Sequence, residues 1–237
     1  MMTQRNVKDQ LLRCLEGPGS EYEIISCFEC VAEELEKSFT NSRSRVLNRQ
    51  ALIRIKSAIK KNAKKEKYDL GMIFRKLWWS RKPLLNNIAA HLLPEVYKEN
   101  DTISLENIKM LLWRVDSRSL CAELVYSLKK PVREHIEIWK GAFWEWAKSD
   151  FKWNRLIGIM LINETAKALT LQIPQLLDIV DLYMQENNSE IQEEVAKCLV
   201  TMTDRWDLTL LYYLERYHFS NNYNTQAIIQ KYKLKLQ

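Results

Sequence analysis

Apolar residues recur at intervals of three and four along almost the whole chain, as in Val31, Leu35 and Phe39, or Ile157, Met160, Leu161 and Ala168. That spacing places them on one face of a 3.6-residue helix, so the pattern predicts helix after helix. Polar breaks fall near Gly17-Pro18-Gly19, Asn41-Ser42, Ser80, Asn100-Asp101, Lys130-Pro131, Ser149-Asp150, Leu171-Gln172, Asn187-Asn188 and Asn221-Asn222. About a dozen segments of ordinary helix length remain between them. Pro131 and Pro174 suit first helical positions, where the missing N–H costs nothing. No Asn-Gly or Asp-Gly pair lies between alternating runs, so strands have little support.

Two such helices and their turn occupy about 35 to 45 residues, the length of a HEAT-type unit. Short helices with short polar connections predict an all-α chain in which helix pairs stack side by side. The expected architecture is an irregular α-solenoid of degenerate repeats forming a single domain over residues 1–237, ahead of a compact helix bundle. The hydrophobic share of 46% is enough for a sizeable core and excludes wholesale disorder. No apolar run approaches the roughly 20 residues that cross a bilayer, and the first ten residues lack the apolar centre of a secretion signal. Cys14, Cys27, Cys30, Cys121 and Cys198 are an odd, scattered set, which is not a disulfide framework; a cytoplasmic location is expected.

Charge is concentrated. Between Arg43 and Lys82 lie 14 basic residues and two acidic ones, so this stretch carries +12 while the rest of the chain carries −6. On a helical projection Leu47, Ala51, Leu52, Ile55, Ala58 and Ile59 form one stripe, with Arg45, Arg49, Lys56, Lys60 and Lys67 beside it. Such a ridge attracts phosphates and gives salt-dependent nucleic-acid binding, although a solvated Lys-rich helix has the same pattern. An anionic membrane ranks third as a partner, because the stripe has no aromatic residue before Tyr68.

Little of the usual enzymatic chemistry is present. Cys27-x-x-Cys30 has no second pair or His at zinc spacing and reads as two small core residues. His91, His135 and His218 are far apart, and there is no P-loop, Gly-x-Gly-x-x-Gly or Gly-x-Ser-x-Gly. No metal or cofactor is implied. Tryptophan is frequent, with eight residues, most of which are expected in the core. Trp113 and Asp116, three apart, share a helical face and set an indole beside a carboxylate.

Leu77-Trp78, Trp113-Arg-Val-Asp116-Ser117, Trp146-Ala-Lys-Ser-Asp150-Phe-Lys-Trp153-Asn-Arg155 and Ile191-Gln-Glu-Glu-Val-Ala resemble the successive helix-start motifs of AlkD-type DNA alkylation repair glycosylases. The resemblance runs from about Tyr68 to the C-terminus, and residues 1–40 diverge. It implies a curved stack of antiparallel HEAT-like helix pairs whose basic concave face grips duplex DNA. It also implies removal of cationic N3- or N7-alkylpurines, with an Asp stabilising the oxocarbenium character of the deoxyribose, Trp side chains against the sugar and an Arg holding the backbone. Asp116 falls at the catalytic carboxylate. Trp113 precedes it by three residues instead of four. Arg155 follows Trp153 by two instead of three, leaving Leu156 in the family's Arg register, and Lys197 replaces the second active-site Trp.

The expected function is therefore DNA binding within the alkylation-repair superfamily, to duplex, damaged or branched DNA, by a monomer with no membrane or small-molecule cofactor and with glycosylase activity weak, altered or absent. Arg45, Arg49, Lys56, Lys60, Lys152 and Lys197 are the expected backbone contacts. The alternatives are an active glycosylase using Asp116, Trp113 and Arg155, and a helical scaffold for a protein partner.

Overall fold

The structure is a computed structural model that describes residues 4–16, 19–38, 47–99, 102–204 and 207–236. Thirteen α-helices account for nearly all of them: α1 Gln4–Arg13, α2 Glu21–Ser38, α3 Arg49–Glu66, α4 Leu70–Trp79, α5 Pro83–Val96, α6 Leu105–Leu112, α7 Arg118–Glu134, α8 Ile136–Ala147, α9 Lys152–Ala166, α10 Ile173–Tyr183, α11 Ser189–Thr203, α12 Asp207–His218 and α13 Tyr223–Leu236. The all-helical class expected from the periodicity is present. One departure is a two-residue antiparallel ladder, β1 Lys98–Glu99 against β2 Thr102–Ile103, that closes the α5–α6 connection. The chain divides into two compact units, Met1–Ser104 and Leu105–Gln237.

In the first unit α3 shows how sequence becomes structure. The Asn48 side chain accepts from the Ala51 N–H at 3.0 Å and starts the helix, while Lys67 in the left-handed region (φ 60°) ends it. Between them Ala51, Leu52, Ile55, Ile59 and Ala63 are buried against α1 and α5, as the stripe requires. The Tyr68 hydroxyl and the Asn62 amide donate to the carbonyls of Gly19 and Leu15, tying α3 and its C-terminal turn to the α1–α2 connection. Cys14 and Cys27 form a disulfide and Cys30 is exposed. Both findings correct the expectation of scattered thiols with a buried Cys27–Cys30 pair. The α1–α2 turn brings the first two cysteines together across 13 residues, which linear spacing does not reveal.

In the second unit α7, α9, α11 and α13 form one layer, each packed on the next. Helices α8 and α10 pack on one another and back onto α9, and α12 fills the corner between α11 and α13. The break expected at Lys130-Pro131 lies instead at His135, and Pro131 sits in the last turn of α7. A proline so near a helix end disrupts only the final turn, and the His135 N–H still reaches the Pro131 carbonyl at 3.1 Å. Pro174 does open its helix. Of the seven described tryptophans only Trp78, Trp139 and Trp146 are buried, fewer than expected.

The connection between α10 and α11 is held by polar bonds on every side. Thr225 Oγ1 donates to the Met184 carbonyl at 2.8 Å, Gln192 Nε2 to the Glu186 carbonyl at 2.8 Å, and the Asn188 N–H to Glu186 Oε1 at 2.9 Å. Beside it the fully buried Tyr183 donates its hydroxyl to the Arg155 carbonyl at 3.1 Å and crosses α9 directly over Gly158. A Cβ at Gly158 would lie 2.5 Å from the Tyr183 oxygen and 3.4 Å from the Trp146 Cβ.

Gly158→Ala is expected to destabilise by about 1–3 kcal/mol in urea unfolding, and Tyr183→Phe by about 1 kcal/mol. The double variant should lose clearly less than the sum, because the removed hydroxyl is the obstacle. Strict additivity would show that it is not.

Candidate nucleic-acid interface

Asp116, Lys152 and Arg155, three of the nine residues singled out in the sequence, lie at or just before the N-terminal ends of α7 and α9, and Lys197 lies midway along α11. Ser117 caps α7 by accepting from Leu120 N at 3.3 Å. Asn188 caps α11 by accepting from Glu190 N at 3.1 Å and Ile191 N at 3.3 Å. The turn before α9 is braced by Ser149 Oγ, which accepts from Phe151 N at 3.1 Å and Asn154 Nδ2 at 3.2 Å.

Trp113, just past the end of α6, is 71% exposed and stacks on Phe151, with ring centroids 5.8 Å apart and planes inclined by 27°. Asp116 is exposed, in the extended segment ahead of the Ser117 cap; it and Trp113 both lie between α6 and α7, which corrects the expectation that they share a helical face, and among the described residues the Asp116 carboxylate has no hydrogen-bond or ion-pair partner. Two residues on, Arg118 begins a chain of ion pairs across three helices. Its guanidinium bonds Glu190 at 3.1 Å and also Glu194. Lys152 reaches Glu190 at 2.6 Å and lies over the Trp153 ring at 4.4 Å. Lys197 reaches Glu194 at 2.9 Å. Burial alone would raise the Glu190 carboxyl, but hydrogen bonds from Lys152 and Arg118 outweigh it and hold the group below its ordinary value.

Arg155 points into the structure. Its Nε bonds Glu186 Oε2 at 2.7 Å, and one terminal nitrogen donates to the carbonyls of Ser149 at 2.7 Å and Asp150 at 3.1 Å. The Glu186 side chain is 5% exposed. Leu156, in the register where the resemblance expects an arginine, is fully buried.

The basic stretch lies in the first unit. Lys56 and Lys60 both bond Glu95, at 3.0 and 2.7 Å. Burial would raise that carboxyl, yet the hydrogen bonds from Lys60 and Lys56 lower it. Arg49 is exposed at the start of α3, and Arg45 lies outside the described residues. Among the described residues no three His, Cys, Asp or Glu side chains form a group able to hold a metal. Cys121 is buried, and burial pushes its thiol up to about 12, away from nucleophilic use.

Four participants were not foreseen: Phe151 under Trp113, Arg118 at the head of the ion chain, Glu190 as its bridge, and Glu186 as the anchor of Arg155. The four-residue spacing of Glu190 and Glu194 shows that both share a helical face. Their partners on α7 and α9 come from more than 35 residues away, and only packing reveals them.

Arg155→Ala strands a buried carboxylate and is expected to cost about 3–5 kcal/mol in urea unfolding, with Arg155→Lys recovering only part. A loss under 1 kcal/mol would mean that Glu186 finds other partners. Glu190, held below its ordinary value of 4.5, contributes stability that is complete above that value and lost as pH falls through the folded-state value. Glu190→Gln should therefore flatten the fall of stability with pH below about 4.5, read from thermal melts across pH.

A family model described as DNA alkylation repair enzyme matches residues 31–230. The match begins well before Tyr68, where the motif resemblance started, so it takes in the C-terminal part of α2 and all of α3. The chain matches no curated protein and no solved structure at a significant level. Among the described residues no helix is long and apolar enough to cross a membrane. By the extent of the match, the chain belongs to the DNA alkylation repair enzyme family.

Proposed function

We propose that the chain, acting as one domain over residues 1–237, grips DNA through its phosphate backbone on HEAT-like helix pairs with a basic concave face, and that its alkylpurine glycosylase activity is weak, altered or absent. Membership in the repair family supports DNA as the partner. The layer of α7, α9, α11 and α13, each on the next with α8 and α10 behind, supports stacked helix pairs. The observation that carries the reading on activity is Arg155: its donors are spent on Glu186 and on two backbone carbonyls, so it acts as a positioning residue for the turn before α9.

Asp116 keeps its part in this reading. Excision of a cationic alkylpurine leaves positive charge on the deoxyribose, and a preorganised carboxylate stabilises it without attacking. The exposed Asp116 carboxylate, with Trp113 held on Phe151 as an apolar wall, is suited to face that sugar. This favours the second reading, an active glycosylase. What it lacks is a free guanidinium on α9 and the second indole, whose register holds Lys197.

Backbone contact falls to Arg45, Arg49, Lys56, Lys60, Lys152 and Lys197. Four of these are paired with carboxylates, so phosphate has to replace Glu95, Glu190 or Glu194 as their partner. DNA is met as a monomer in the cytoplasm, and no cofactor enters the chemistry.

Affinity for duplex, methylated and branched DNA should fall steeply between low and physiological salt; a flat profile refutes phosphate gripping. Glu190→Gln, which frees Lys152 and removes one of the two carboxylate partners of Arg118, should bind duplex DNA several-fold tighter, and weaker binding would overturn the competition between carboxylate and phosphate. Release of methylpurine from methylated DNA that is abolished in Asp116→Asn would establish the glycosylase reading. A stoichiometric protein partner with no DNA affinity would instead favour a scaffold.

A further inference from the structure

DNA binding leaves the three cysteines of the first unit unused, and their arrangement is specific. Cys14 directly follows α1 and is bonded to Cys27 in α2, and both residues are half-buried. Cys30 lies three residues beyond Cys27 on the same helix, exposed, with a free thiol. Residues three apart on a helix are neighbours, with about 5–6 Å between Cβ atoms, so this thiol stands beside the disulfide and nearer to solvent. Cys121 and Cys198 are buried in the second unit, which leaves Cys30 as the exposed thiol among the described residues.

That geometry decides how the bond can be opened. In thiol–disulfide exchange a thiolate attacks one sulfur of the bond, and access governs the rate. A thiol from solution meets Cys30 before it meets either half of the Cys14–Cys27 bond. Cys30, in turn, is tethered beside Cys27, and tethered groups reach effective concentrations of millimolar and well above. A bond between Cys27 and Cys30 is within range as well. Cα atoms three apart in an α-helix are about 5 Å distant, inside the span of about 4.4–6.8 Å that disulfides bridge.

The rest of the unit holds α1 without the disulfide. Val7 and Leu11 are fully buried, and the Asn62 amide and Tyr68 hydroxyl donate to the Leu15 and Gly19 carbonyls on either side of the α1–α2 connection. The disulfide is a second fastening over a packed contact, so it can open and close while the unit stays folded.

We propose that Cys30 is the exchange thiol of a reversible clamp, through which low-molecular-weight thiols of the glutathione class open and re-form the Cys14–Cys27 bond. In the first step the Cys30 thiolate attacks Cys27 Sγ. The Cys27–Cys30 bond forms and the Cys14–Cys27 bond breaks. Cys14 leaves with the electron pair and takes up a proton in place of the one Cys30 gave up, with no net oxidation or reduction. In the second step a glutathione thiolate attacks Cys30 Sγ at the surface and frees Cys27. Another glutathione then removes the first as glutathione disulfide, so two electrons pass to the protein and all three cysteines end as thiols. Glutathione disulfide entering at Cys30 runs the sequence backwards. The state of the clamp reaches the basic helix α3, because α1 packs on both α2 and α3. None of these steps draws on DNA binding or on Asp116.

The test uses the full oxidised chain, folded, in millimolar glutathione. Free thiols are alkylated at intervals, the chain is cleaved after Glu29 to part Cys27 from Cys30, and each cysteine is read by peptide mass spectrometry. Cys14 should become free first, with Cys27 linked to Cys30 and then glutathione carried on Cys30. Cys30→Ser and Cys30→Ala should each slow the release of Cys14 about ten-fold or more, while their oxidised forms melt at the temperature of the unmodified chain. Amide hydrogen exchange in α1 should quicken several-fold once the bond is open, and stay unchanged in Cys30→Ser after the same brief exposure. Equal rates with and without Cys30, glutathione carried on Cys14 or Cys27 instead, or a dimer joined through Cys30 as the main product would each overturn the proposal. Unaltered exchange in α1 on reduction would overturn the clamp.

Discussion

The arrangement in the second unit depends on two carboxylates of α11 holding three cations across the layer of α7, α9 and α11. Arg118 and Lys152 are the first residues of α7 and α9, where exposed N–H groups already make the helix end positive. A cation there is unfavourable on its own. Glu190 and Glu194, one turn apart on α11, bring the compensating charge, with Glu190 itself well placed in the first turn of its helix. The three helix starts are thereby bound in order, and the segments that precede them, with Asp116 and Phe151, are positioned as a result.

This makes stability and DNA attraction competing uses of the same groups. A lysine paired within the protein is only partly available to a phosphate, and exposed pairs of this kind are weak enough to exchange. The pair formed by Arg155 and Glu186 differs, because its carboxylate is nearly sealed and two backbone carbonyls complete the guanidinium's bonds. Glu194, whose side chain is 7% exposed, is nearly sealed as well, so the pairs open to exchange are those made to Glu190 and Glu95.

Much of the fold was legible because helical periodicity is a local signal. The stripe of α3 and the polar breaks at Ser80, Ser149-Asp150 and Asn187-Asn188 all follow from neighbours in sequence. Pro131 misled because proline is tolerated at both ends of a helix, and its sequence context does not say which end is near. The site was legible only in part. Trp113, Asp116 and Lys152 could be named, yet the commitment of Arg155 to Glu186 and the stacking of Trp113 on Phe151 arise from segments about 30 to 40 residues apart.

The polar turn between α10 and α11 has one more implication. Most connections in helical proteins lie over the surface and vary in length with little penalty. Here Met184 and Glu186 are buried, and their backbone carbonyls are gripped by Thr225 from α13 and Gln192 from α11. Adding or removing a single residue would misalign every one of these bonds at once. Among relatives that keep this arrangement the connection should have constant length, while insertions collect at other joints.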